Sequence, residues 1–235
     1  MSEILNTGMR RVKTVRNSHK VLEKKSLAIK DLLREALGKE LPGEKAHRLM
    51  LPQGRELFPD AGKTNMIQSS VLMLIFPHQE EIHTCLIRRP ETMRNHGGQL
   101  AFPGGRYEAQ DQELIRTAIR ESAEEIGTEE EHIEIIGALT PIYVQVSNFS
   151  INPFIGWSET YPVFKIDTRE VAELFVVPLE KFIHPATRQL RKVETPRGTL
   201  KAPGFFLDPL FVWGATAMII SEFSELYRSV IKSPR

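Results

Sequence analysis

Residues 97–127 read GGQLAFPGGRYEAQDQELIRTAIRESAEEIG, a glycine-rich turn followed by a helix with acids along one side. From 113 to 126 the apolar residues Leu114, Ile115, Ala118, Ile119, Ala123 and Ile126 recur at helical spacing, the stripe that an amphipathic helix buries. Gly127 marks its expected end. On the opposite side stand Glu121, Glu124 and Glu125. A rise of about 1.5 Å per residue puts Glu121 and Glu125 about 6 Å apart along one face, where like charges cost an isolated helix a few tenths of a kcal/mol each. A shared divalent cation removes that repulsion, and Mg²⁺ or Mn²⁺ suits carboxylate oxygens. The same pattern also reads as a solvated acidic face. The loop in front favours the first reading, because Phe102-Pro103-Gly104-Gly105 is a turn whose backbone can approach a ligand closely.

Gly105, Arg120, Glu121, Glu124, Glu125 and Gly127 together resemble the Nudix box: Gly, five residues, Glu, seven residues, then Arg-Glu-U-x-Glu-Glu-x-Gly-U with U apolar. This chain departs from it with Asp111 in place of the first Glu, eight residues before Arg120, and Ser122 and Thr128 at the U positions. Asp111 then reads as an acid near the helix N-terminus that complements the macrodipole. Upstream, Arg89-x4-Arg94-x3-Gly98-x3-Phe102-Pro103-Gly104-Gly105 resembles the additional motif of the coenzyme A pyrophosphatase branch, with Pro90 and Ile87 replacing its hydroxyl residue and its Thr. That branch also tolerates the Asp and the longer loop.

The expected site follows from both motifs. Glu121 and Glu125 would ligate Mg²⁺ or Mn²⁺, with Glu124 a further ligand or the base that orients water, and Arg120 would hold these acids in place. Gly104 and Gly105 would let the turn approach the phosphates. Arg89 and Arg94 would bind phosphate groups, since guanidinium forks match phosphate oxygens, and Arg88 lies beside them. Glu173, further along, is an alternative base. The resemblance implies a substrate of coenzyme A type, cleaved at its diphosphate to 4′-phosphopantetheine and adenosine 3′,5′-bisphosphate. Two alternatives stand beside it: a Nudix hydrolase of another nucleoside diphosphate derivative such as ADP-ribose or NADH, and a non-catalytic binding module of the same fold.

Composition bounds the partners. The chain has 235 residues, with 31 Lys and Arg against 30 Asp and Glu, so nothing in the overall charge marks a nucleic acid or membrane surface. No run approaches the ~18 apolar residues of a membrane span, and no apolar signal core is visible near residue 1. The expected location is cytoplasmic, despite a basic run of Arg10, Arg11, Lys13, Arg16 and Lys20. The single cysteine, Cys85, cannot form an internal disulfide and reads as a buried thiol. His96, inside the arginine loop, reads as an exposed loop residue, and no histidine sits in a zinc-type pattern.

Along the chain, leucines and isoleucines from 22 to 37 predict an amphipathic helix, with a Pro- and Gly-punctuated linker from 38 to 64. Such a helix can form a dimer contact, shield the substrate cleft, or pack within its own chain. Residues 66–76 and 81–88 predict a hairpin; 132–146 and 149–157 a strand pair; 170–177 a strand leading into a short helix at 179–183; 189–206 a hairpin; and 213–231 a closing helix. Strands interleave with helices without a regular βαβ repeat, which fits an α/β sandwich holding a mixed sheet between helices. The Nudix resemblance implies the same α/β/α sandwich, here with an N-terminal helical extension: residues 1–63 as helix and linker, and 64–235 as the catalytic domain.

Overall fold

The computed structural model describes residues 26–59, 65–93, 96–196 and 198–232. Its centre is β1 (Ile67–His78), hydrogen-bonded antiparallel to β2 (Glu81–Arg88) and to the short β4 (Gly104–Arg106), and parallel to β7 (Phe149–Trp157). A strand with neighbours on both edges and helices over both faces must be apolar throughout, and Leu72 to Phe76 are all fully buried. Alternation sorts them. Leu72, Leu74 and Phe76 pack with Ala118 and Ile126 of α3 (Leu114–Ile126), while Met73 and Ile75 face Phe223 and other residues of α5 (Ala215–Lys232). Two cores on opposite faces of one sheet make the α/β/α sandwich.

The β1–β2 hairpin closes through Gln79 and Glu80, both at positive φ (47° and 67°), the pair of left-handed residues that a two-residue turn needs to match strand twist. β3 (Leu100–Ala101) and β8 (Glu173–Pro178) add to β2; β5 (Glu134–Ala138) and β6 (Ile142–Val144) add to β7. The sheet is mixed. A second sheet of three antiparallel strands, β9 (Arg188–Thr195), β10 (Gly198–Leu207) and β11 (Leu210–Trp213), sends Phe205, Leu207 and Val212 into the core beneath α5.

Four expectations change. The 132–146 strand is broken into β5 and β6 around Pro141, which has no N–H to donate, and the Thr140 N–H is drawn instead to Glu222. The 38–64 linker contains a helix, α2 (Gly43–Arg48), because His47 and the Gly43 N–H bind Glu222 on α5, a contact no local pattern reveals. The 170–177 strand begins only at Glu173, since residues 167–171 form a turn closed by the Val171 N–H on the Asp167 carbonyl, and it leads into the short helix α4 (Glu180–Ile183). Residues 210–213 form a strand, so the closing helix starts at Ala215.

The N-terminal helix is described over 26–37 (α1), and its Ile29, Leu33 and Leu37 join the α5-side core of the same chain. Leu22 and the basic run at 10–20 lie outside the described residues. Cys85 is fully buried in β2, and burial pushes its thiol up to about 12, so it is an inert core residue. Among the described residues no helix is long and apolar enough to cross a membrane.

Candidate metal and phosphate site

α3 brings the acids to the sheet. Its N-cap is Glu113 and its C-cap Gly127 in the left-handed conformation at φ 71°, whose N–H returns to the Ala123 carbonyl, so the helix stops where the sequence indicates. The helix packs over β1 and β4, which carries its acidic side to the Gly104-Gly105 turn. The Gly104 N–H donates to Glu125 Oε2 at 2.8 Å. A side chain at Gly105 would place its Cβ 2.3 Å from the Glu121 carboxylate, so glycine there lets that acid lie against the turn, and any larger residue would displace it.

A third carboxylate joins them. Single oxygens of Glu121, Glu125 and Glu170 all lie within 4.8 Å of one another. Glu170 comes from the turn before β8, and the shortening of that strand is what leaves it free to reach the helix. Sequence reasoning missed it, because Glu170 reads there as the first residue of the 170–177 strand. Glu124 stands apart, about half exposed, bound by Arg120 Nη1 at 3.1 Å. Glu173 is paired with Arg88 at 3.2 Å on the neighbouring strand.

Electrostatics distinguish the members. Glu125 is 2% exposed, and burial pushes its carboxyl up to about 8 against the Gly104 N–H and the Arg89 charge. Burial also raises Glu121, with Arg120 opposing. A buried carboxyl held above neutrality, beside a second acid and a third, fits a site that takes a hard divalent cation.

Arg120 is the organiser. Its Nε and Nη2 bind the two oxygens of Asp111 at 2.7 and 3.0 Å, Nη1 reaches Glu121 and Glu124, and Nη2 also reaches the Arg106 carbonyl. Asp111 therefore does more than complement a helix dipole. It ends the 3₁₀ turn Ala109–Asp111, is buried, also accepts from Thr117 Oγ1 and the Glu108 N–H, and the Arg120 guanidinium holds its carboxyl far below the usual range. The extra residue falls between Asp111 and Arg120, where Gln112 links this turn to α3 at a positive φ of 62°. Arg120 is accordingly a positioning residue.

The arginine loop is partly described. The Arg89 N–H donates to the Gln99 carbonyl, its Nε contacts Met93 Sδ, and its charge is felt at Glu125. Arg94 lies outside the described residues. His96 is half-buried rather than exposed, within 3.1 Å of Gln99 Oε1 and 3.4 Å of Ser147 Oγ, and burial lowers its pKa.

An α/β/α sandwich with clustered carboxylates at a diglycine turn and a cation behind them is suited to hydrolysis at phosphorus. The family model of the NUDIX domain matches residues 66–195. An uncharacterized Nudix hydrolase NudL of Pectobacterium atrosepticum is 33% identical over 157 residues, covering 67% of this chain and 81% of that protein. A NudL of Enterobacter sp. is 34% identical over 165 residues, covering 68% and 82%. The solved Nudix hydrolase RenU of M. smegmatis aligns with a TM-score of 0.48 at 14% identity, over 79% of this chain and 98% of that one. The chain belongs to the Nudix hydrolase family. It is a pyrophosphohydrolase of a nucleoside diphosphate derivative.

Proposed function

We propose that this enzyme cleaves the diphosphate of coenzyme A or an acyl derivative to 4′-phosphopantetheine and adenosine 3′,5′-bisphosphate, with residues 64–235 as the catalytic domain. The observation that carries the proposal is the convergence of Glu121, Glu125 and Glu170 at the Gly104-Gly105 turn, with Arg89 of the second motif close enough to act on Glu125. The second motif is what selects coenzyme A over ADP-ribose or NADH.

Glu121, Glu125 and Glu170 would hold Mg²⁺ or Mn²⁺. Bound there, such an ion supplies positive charge that neutralises the diphosphate and acidifies a water at neutral pH. Arg89 and Arg94 hold phosphate oxygens and orient the linkage for attack. Water adds to one phosphorus as its bond to the bridging oxygen breaks, and that oxygen leaves with the other phosphate. Glu124, outside the carboxylate group and on its exposed edge, orients the water and takes its proton. Arg120, anchored on Asp111, keeps Glu121 and Glu124 in place.

Parallel assays of coenzyme A, ADP-ribose and NADH with Mg²⁺ and with Mn²⁺ test this reading. Coenzyme A should give the highest kcat/KM, and a chelator should abolish turnover. A clear preference for ADP-ribose would overturn the substrate and leave the family intact.

A further inference from the structure

A cleft of about 710 Å³ lies on the open face of the β9–β11 sheet, lined across from it by Gly97, Gly98 and Gln99 of the arginine loop. That volume is in the range of small-molecule sites. Strand register fixes what it presents: pairing of Gly204 with Trp213, Phe206 with Phe211, and Ala202 with Arg191 puts Trp213, Phe211, Phe206 and Arg191 on one face. None of the three clustered carboxylates lines it.

Arg191 is stacked and hydrogen-bonded there. Its guanidinium carbon lies 3.5 Å from the centre of the Phe206 ring and 5.6 Å from that of Phe211, and its Nε donates to Gln189 Oε1 at 2.8 Å. Both terminal nitrogens are left without a protein acceptor among the described residues. Lys192, next along the edge strand, alternates to the opposite face, that of Lys201 and Phe205. The other cation of the wall, Arg88, is neutralised by Glu173, and of the two acids, Glu91 and Glu194, the latter accepts from Thr199. A stacked guanidinium with a free fork is pre-organised for a bidentate anion, and the flanking Trp213 and Phe211 offer ring faces to a base or ribose.

The cleft communicates with the site of hydrolysis through one short segment. Gln99 lines the cleft and its carbonyl holds the Arg89 N–H; five residues on, the Gly104 N–H holds Glu125. Five residues span at most about 17 Å. A substrate arm of nucleotide length can therefore have its diphosphate at the carboxylates and its far end in the cleft.

We propose that this cleft binds a phosphate monoester on the nucleoside arm of the substrate, remote from the scissile linkage, with Arg191 as its bidentate anchor. The inference deepens the coenzyme A reading and rests on it, because adenosine 3′,5′-bisphosphate is the product that carries such a phosphate. The small sheet is then the part of the fold that sets substrate class.

The test is titration calorimetry of the full chain with adenosine 3′,5′-bisphosphate and with AMP. The wild type should bind the bisphosphate about 10- to 100-fold more tightly, the range expected for hydrogen bonds to a charged group. Arg191→Gln should erase most of that difference, and Lys192→Gln, on the opposite face, should leave it; Arg191→Lys, which keeps the charge and loses the fork, should restore little. Equal binding of the two nucleotides by the wild type, or a preference that survives in Arg191→Gln, overturns the proposal. Coenzyme A hydrolysis is measured separately. If the bisphosphate preference depends on Arg191 but coenzyme A is not cleaved, the cleft stands and the substrate reading falls; if coenzyme A is cleaved as well as its 3′-dephospho form, the cleft falls and the substrate reading stands.

Discussion

Arg120 divides its guanidinium among Asp111, Glu121, Glu124 and a backbone carbonyl, and the anchor in that set is Asp111, the most deeply buried. Asp111→Asn keeps the shape and removes the charge. It should cost about 3 kcal/mol of stability at neutral pH, as breaking one side of a buried pair does, and lower kcat more than it raises KM, because Glu121 and Glu124 lose their orientation. The Asp111 carboxyl is depressed in the folded state, so the stability it contributes is present above the ordinary aspartate value and is lost as pH falls through the folded one. Acid titrations of wild type and Asp111→Asn should therefore converge at low pH. Glu125 works with opposite sign. Its carboxyl, raised from 4.5 to about 8, binds an extra proton in the folded protein between those values, so without a divalent ion stability should fall as pH rises across that window. Mn²⁺ should stabilise the protein most above about pH 8 and release a proton on binding below it, which calorimetry in buffers of different ionisation enthalpy would show. Glu125→Gln should remove the proton release and lower turnover on the order of a hundredfold, as loss of a group stabilising the transition state does.

At the scale of elements, α3 and the turn before it act as one unit. Gly105→Ala would drive a methyl into the Glu121 carboxylate, so the acid must shift. Turnover and metal affinity should fall together while the melting temperature changes little, which separates this variant from Asp111→Asn. α3 was legible because its apolar stripe, its acidic face and its terminating Gly127 all lie within one short window and agree. Glu170 was not, because its role comes from where β8 begins, and that depends on the Asp167 turn and on pairing with β2. Register places Glu173, the alternative base, opposite Arg88, with which it is paired. β11 escaped notice because four residues are too few to show alternation.

For the whole molecule, Glu222 is the tie between the extension and the sandwich. Fully buried on α5, it accepts from the Gly43 N–H, His47 Nε2 and Thr140 Oγ1 at 3.1, 2.9 and 2.6 Å. Glu222→Leu strands these donors and should cost about 3 to 5 kcal/mol in chemical denaturation, with kcat near that of wild type under folding conditions. An unchanged midpoint would show that α2 is not held by this contact. By itself the sequence determined the carboxylate helix, the diglycine turn, the central hairpin and the sandwich class, because each is written in the spacing of near neighbours. Only the tertiary structure decided that Glu170 completes the acid group, that Asp111 anchors Arg120, that α2 exists, and that Arg191 faces a cleft with Trp213. Those facts depend on residues far apart in the chain meeting in space, and hydrophobic periodicity carries no information about such meetings.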